Sequence, residues 1–423
     1  MRAVRGKVAR AERDAAAGCG TPALDPRRAR VISARMDGIP TAETHSLEVP
    51  SGAAPEAGAP QDGTRPRLAI VLFNLGGPDR PESVRPFLVN LFTDPAILRV
   101  PGWMRPWLGR LVAWRRTRQA AANYAILGGR SPLLEITEGQ ARALEAALAD
   151  APFAARCFVA MRYWHPMSEA AARAVKAWRP DEVLLLPLYP QYSTTTTGSS
   201  LEAWHLAAGH AQLRAPTRML CCWHSDEGFT QATAAIVQRA FDVARAELPP
   251  ERRLRILFSA HGLPESIVKQ GDPYQWQVER SAAAVAAALG EAASDHQVCY
   301  QSRVTPQKWL RPSIEEALEQ AAKDGVAVLV CPIAFVSEHS ETLVELDVEY
   351  RELAERLGLH GYYRVPAQNS DAGFIAALRD LVLRARGEER PLCSFAGGRQ
   401  CPKAFGDCPH AKARAAAPVP ETA

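Results

Sequence analysis

The chain has 423 residues, 47% of them hydrophobic and 23% charged, with a formal net charge of +4. That is an ordinary globular composition, long enough for two domains with real cores. The charge is uneven: residues 1–35 hold nine Lys and Arg against three Asp and Glu, about +6, which leaves the remainder near −2 and argues against a nucleic-acid footprint on the folded part. No apolar run reaches the ~18 residues of a membrane span, so a membrane-crossing helix is not expected.

Residues 1–65 are rich in Ala, Arg, Gly and Pro, lack hydrophobic periodicity and read as a disordered extension. Its Arg-rich start only faintly resembles an organelle transit peptide, because Glu12, Asp14 and Asp25 are the wrong type; a true start at Met36 is the plainer alternative. Nine cysteines, an odd number, without a secretory h-region fit a reducing compartment, where a cysteine cluster points to metal before disulfide. From there strand-like runs alternate with helical patterns: "LAIVLFNLGG" (68–77), "LLEITEGQARALEAALA" (133–149), "RCFVAM" (156–161), "MSEAAARAVKAW" (167–178), "EVLLLPLYP" (182–190) and "RMLCCW" (218–223). The rhythm repeats with "LRILFSAHG" (254–262), "ERSAAAVAAALGEA" (279–292), "HQVCYQS" (296–302), "IEEALEQAAKDG" (314–325) and "VAVLVCPIAF" (326–335). Near-continuous apolar strands in such alternation predict an α/β protein with parallel sheets covered on both faces. Two doubly wound halves are expected, 66–245 and 246–390, followed by a cysteine-containing tail, 391–423. A weak echo between "LFNLGGPD" (72–79) and "LFSAHGLPE" (257–265) marks a strand that could open each half. Ligands in such sheets sit at the carboxyl ends of the strands.

One of those ends carries an imidazole. In "LRILFSAHGLPESIVKQGDPY" (254–274) the apolar run delivers Ser259, Ala260 and His261 to a stop at Gly262 and Pro264. Other chemistries fit poorly. Gly76-Gly77 lacks the G-x-G-x-x-G spacing of a dinucleotide turn. There is no G-x-S-x-G, and Ser259 lies two residues from His261 on the same strand, so the two cannot act as nucleophile and base. The second informative stretch, "PIAFVSEHSETLVELDVEY" (332–350), starts as a strand end and becomes a helix with Ser337 or Ser340 as its cap. Glu341, Glu345 and Glu349 are four apart and stack on one helical face, with Glu338 extending the stripe. A solvated acidic face is the ordinary reading of such a stripe. Here, however, the helix follows a core strand directly and His339 stands beside Glu341. An imidazole and a carboxylate at one strand end, with His261 at another, could bind a divalent metal or move protons.

Together "FNLGGPD", "LYPQYSTTTTGSS", "FSAHGLPESIVKQGDPY", "CYQSRVTPQKWL" and "PIAFVSEHSETLVELDVEY" resemble the ferrochelatase family, in order from about residue 68 to 385. The resemblance implies two Rossmann-like halves with a porphyrin cleft between them. The implied reaction is insertion of Fe2+, the metal substrate, into protoporphyrin IX, giving protohaem and two protons at the last step of haem biosynthesis. Coproporphyrin III as substrate, or a non-catalytic porphyrin- or haem-binding protein on the same scaffold, are the alternatives. By the same resemblance His261 and Glu341 are the catalytic and iron-handling pair, with their division of labour open. Glu345, Glu349 and His339 form a proton or metal path. Leu75, Arg115 (with Arg116), Tyr124, Ser131, Arg162, Tyr163, Tyr189 and Trp309 meet the porphyrin.

The segment "VPGWMRPWLGRLVAWRR" (100–116) interleaves Trp103, Trp107 and Trp114 with arginines, a pattern that suits a membrane interface, and it matches the family's apolar pocket lip. A cytoplasmic protein with peripheral contact at the inner face of the cell membrane is the expected localisation. Cys393, Cys401 and Cys408, spaced C-x7-C-x6-C, resemble the ligands of the C-terminal [2Fe–2S] cluster that many ferrochelatases carry. Thr194 stands where vertebrate relatives place the fourth ligand, which leaves Cys222, Cys221 or Cys157 for that role. Cys299 and Cys331 read as small buried hydrophobes.

Overall fold

The apolar runs form nine strands among the described residues, which in this computed structural model are 65–302 and 307–416. The expected extension up to residue 64, with Met36, lies outside them. The strands are β1 (Arg67–Asn74), β2 (Ala154–Met161), β3 (Glu182–Pro187), β4 (Thr217–Leu220), β5 (Leu254–His261), β6 (His296–Gln301), β7 (Ala327–Pro332), β8 (Tyr362–Arg364) and β9 (Leu392–Cys393). They make a five-stranded sheet, β2-β1-β3-β4-β9, and a four-stranded sheet, β6-β5-β7-β8. Every neighbouring pair is parallel. Leu68–Phe73 of β1 and Ile256–Ala260 of β5 are buried throughout, which is why these runs lack polar alternation: helices cover both faces of each sheet.

Leaving β9 aside, the two sheets share one strand order. β1 and β5 occupy the same place in it, flanked on both sides, so each sits at the switch point where the winding changes direction. The echo between residues 72–79 and 257–265 therefore falls on equivalent strands. Helix starts follow local chemistry. Asp226 caps Glu227–Glu247 through Phe229 N, and Ser313 and Glu316 form a reciprocal capping box at the start of Ile314–Lys323.

The chain departs from the expected division at 390 in one respect. Helix Ala372–Gly387 packs Phe374, Leu378, Leu381 and Val382 into the core of the first sheet, with Leu68, Ile70 and Leu72 of β1 and Leu184 and Leu186 of β3. β9 then pairs with β4 in that first sheet. The second sheet is thus complete at β8, and the chain returns to the first before its tail. Strand–helix rhythm reveals the type of each element but not the sheet it joins. Helix Glu227–Glu247 is shared: Phe229 and Ala232 pack with the first sheet, Ile236, Val237 and Ala244 with the second.

The turn after β1 is built on close approach. Gly76 has φ of 85°, a left-handed conformation that favours glycine. At Gly77 a Cβ would lie 2.5 Å from Ser131 Cβ and Oγ, and Ser131 N donates to Pro78 O at 2.7 Å. Gly77→Ala is therefore expected to destabilise the protein by about 1–3 kcal/mol, the usual cost of overpacking. Thermal unfolding measures it, and adding Ser131→Gly should recover most of the loss.

Candidate active site

The carboxyl ends of β5 and β6 lie side by side, with His261 and Gln301 in register. Ser259 Oγ donates to Gln301 Oε1 at 2.8 Å, which aims the amide nitrogen away from the strand. Gln301 Nε2 then donates to Glu341 O at 3.1 Å and to Glu345 Oε2 at 3.2 Å. The helix expected after β7 forms, but with a wider winding than an α-helix: Glu341–Glu349 is a π-helix. Ser340 stands at its N-cap position, but its side chain makes no capping hydrogen bond. Ser337 Oγ donates to Gln140 Oε1, and Ser340 Oγ faces Tyr124 Oη at 3.5 Å. The wider winding moves the helical period from ~3.6 residues toward the four-residue spacing of Glu341, Glu345 and Glu349.

His261 Nδ1 and Glu341 Oε2 are 2.8 Å apart. With Nδ1–H given to the carboxylate, Nε2 is the nitrogen left to take a proton. The His261 side chain keeps 32% of its surface accessible and Glu341 19%, so the pair can meet a ligand. His339 is buried; its Nδ1 donates to Ser337 O at 3.0 Å, and its Nε2 lies 4.0 Å from Glu341 Oε2. Ser302 Oγ donates to Glu345, and Asn123 Nδ2 donates to Glu349 Oε1 at 3.1 Å. Burial works against a charged imidazole, but the Glu341 carboxylate outweighs it and holds the His261 pKa above its usual value. Burial likewise opposes the Glu341 charge, and His261 outweighs it, holding that carboxyl low. Burial and then the Glu341 charge push Glu345 up to about 8. Burial, with Glu341 and Glu345 adding, pushes the Tyr124 hydroxyl up to about 12.

Glu338 does not extend the acidic stripe. It is turned away into a buried ion pair with Arg364, at 2.7 Å. A buried carboxylate needs such a partner, and one 26 residues downstream is invisible to helical spacing.

The remaining expected residues divide into exposed and interior groups. Ser131 and Tyr124 flank Gly77, and Leu75 is half-buried beside them. Arg115 is exposed on helix Arg105–Ile126. Trp309 packs next to Gly262, where a Cβ would lie 3.3 Å from its ring. Tyr163 is fully buried and its hydroxyl donates to Asp94 at 2.8 Å; Arg162 pairs with the same carboxylate at 2.7 Å and donates from Nε to Ser199 Oγ at 2.6 Å. Burial pushes the Tyr189 hydroxyl up, with Ser200 and Arg162 acting against it, so it stands as a neutral phenol. Sequence reasoning passed over Asp94, Gln301, Ser302 and Asp272. Asp272 Oδ2 accepts from Thr194 N and Oγ1, both at 2.7 Å, and from Ser193 Oγ at 3.0 Å, fixing the loop that leads into residues 194–200. Its signal was the Gly-Asp-Pro-Tyr turn, and that of Gln301 was its place at a strand end beside β5.

The tail thiols lie beside Cys222, just past the end of β4, and Gln277 of the second half. Cys401 and Cys408 share a hydrogen bond, Gln277 Nε2 donates to Cys401 Sγ at 3.1 Å, and Cys221 Sγ lies 3.4 Å from Cys222 Sγ. Cys393, Cys401 and Cys408 each feel the charge of Cys222. Cys157 instead packs beside the first-sheet core. Among the described residues, no group of three or more His, Cys, Asp or Glu side chains is arranged to hold a metal ion. Cavities of about 350 and 580 Å³ lie along the tail and include neither His261 nor Glu341.

The ferrochelatase family model matches residues 67–386. The ferrochelatase of Phenylobacterium zucineum is 51% identical over 346 residues, covering 81% of this chain and 97% of its own. That of Hyphomonas neptunium is 49% identical over 365 residues, covering 84% and 99%. With the paired strand ends and the acidic helix inside the matched span, the chain belongs to the ferrochelatase family.

Proposed function

We propose that His261 and Glu341 carry the insertion of Fe2+ into protoporphyrin IX, the reaction of this chain, which gives protohaem and releases two protons. The observation that supports these roles is the 2.8 Å contact between His261 Nδ1 and Glu341 Oε2, where the end of β5 meets the helix Glu341–Glu349. Metallation requires two pyrrole N–H protons to leave as the cation enters. His261 Nε2 can take a proton, and the anionic Glu341 both stabilises the resulting imidazolium and attracts Fe2+. Glu345, with its pKa raised to about 8, can accept and release a proton near neutral pH. Gln301 and Ser302 hold it between Glu341 and Glu349. A carrier of porphyrin would have no use for this acid–base series. In anaerobic Fe2+ insertion followed by porphyrin absorbance, His261→Ala should lower kcat by about 10²–10⁴-fold while porphyrin still binds. Turnover near the wild-type rate would remove His261 from the mechanism.

The lip supports a peripheral membrane contact. Trp103, Trp107 and Trp114 are 76%, 76% and 59% exposed, with Leu111 also exposed and arginines between them. No helix among the described residues is long and apolar enough to cross a membrane. Contact at the inner face of the cell membrane, from the cytoplasm, fits the stripe together with the buried free thiols. Co-sedimentation with anionic vesicles should fall several-fold in a Trp103→Ser/Trp107→Ser/Trp114→Ser variant; unchanged binding would place the contact elsewhere.

Four thiols, Cys393, Cys401, Cys408 and Cys222, are the donor type that a [2Fe–2S] centre takes, although among the described residues they do not stand as a metal-holding group in this structure. These are buried sulfurs; hydrogen bonds from Cys221 and Cys401 hold Cys222 and Cys408 below the usual thiol pKa, whereas burial pushes Cys393 up and the hydrogen bond to Cys408 pushes Cys401 up. Such a centre would supply a one-electron couple and tie the tail to the first sheet. The protein isolated anaerobically should show visible Fe–S absorption that Cys222→Ser and Cys401→Ser each abolish. A colourless, iron-free wild type would overturn the assignment.

A further inference from the structure

Arg364 ends β8 with a side chain only 4% exposed. Its Nε and Nη2 donate to the two oxygens of Asp347 at 2.9 and 2.7 Å, and its Nη1 donates to Glu338 Oε1 at 2.7 Å. The chain just after β8 completes the hold: Ala367 N donates to Glu338 Oε1 at 2.9 Å, and Glu338 N donates to Asn369 Oδ1 at 2.9 Å. Glu338 and Asp347 bracket the stretch that contains His339, Glu341 and Glu345. One guanidinium therefore grips both ends of the catalytic stretch.

We propose that Arg364 is a positioning residue for iron insertion, setting the winding of residues 341–349 and thereby the placement of Glu341 against His261 and of Glu345 against Gln301 and Ser302. This rests on the proposed function. A π-helical winding is rare, and unusual backbone persists where its surroundings over-determine it. A tighter α-helical winding would rotate Asp347 and Glu345 relative to Glu341, so the three sets of contacts could not all be kept. The bidentate fork fixes distance and plane together, which a point charge on a lysine cannot do. Buried ion triads contribute little net stability compared with uncharged side chains of similar size. Positioning accounts for this one where stability does not.

The test compares Arg364→Lys, Arg364→Met, and the uncharged triple variant Glu338→Gln/Asp347→Asn/Arg364→Met with wild type. Readouts are thermal unfolding, porphyrin binding by fluorescence, and kcat and KM for each substrate. Arg364→Lys should fold and bind porphyrin as wild type does, with kcat lower by about 10²-fold, the cost of roughly 1 Å of misplacement. The triple variant should regain the unfolding temperature lost in Arg364→Met without regaining kcat. Wild-type kcat in the folded lysine variant, or recovery of stability and kcat together in the triple variant, would overturn the proposal. So would failure of both to fold, which assigns the triad to folding. Absence of Fe2+ insertion by wild type in the same assay would instead defeat the functional reading.

Discussion

The pairing of His261 with Glu341 is the constraint on which the site depends. Each group alone would be a partly buried charge with a desolvation cost, and each makes the other tolerable. The pairing demands that a strand end and a helix from different parts of the chain meet within hydrogen-bond distance. β5 supplies a rigid origin because it is flanked on both sides by parallel strands, and β6 adds Gln301 at the same level. The charge pattern that results alternates: Glu341 is held anionic, whereas Glu345 is pushed toward its neutral form. Like charges four residues apart are thus kept from repelling one another at full strength.

Much of this was legible in the sequence, for identifiable reasons. Apolar runs without alternation marked β1 and β5 as interior parallel strands, and the Gly-Pro stop placed His261 at a carboxyl end. The four-residue spacing revealed the stack of glutamates but not its winding, because the same spacing fits either helix and tertiary ties decide between them. Glu338 was misread for a related reason: its partner Arg364 belongs to another strand. The return of residues 372–393 to the first sheet was likewise hidden, since an amphipathic helix does not name the layer it will cover. Spacing pointed to the tail cysteines but left Cys222, Cys221 and Cys157 equal as their upstream companion; in the fold Cys221 and Cys222 share one cluster with Leu392, while Cys157 packs beside the first-sheet core.

Helix Arg105–Ile126 joins the two ends of the problem. Its first turns carry the exposed Trp107 and Trp114, with Trp103 just ahead of its start, while Asn123 and Tyr124 near its last turn reach Glu349 and Ser340. A single rigid element therefore spans from the outer surface to the acidic series. Burial and the nearby carboxylates keep Tyr124 a neutral phenol, which does not compete for metal as a phenolate would.

The short strand β9 has a consequence for the life of the protein in the cell. It covers the outer edge of β4, and its Leu392 packs against the cluster that holds Cys221 and Cys222. A chain clipped before residue 392 would keep both sheets' central strands yet present a bare β4 edge and two adjacent thiols, features that invite aggregation and oxidation.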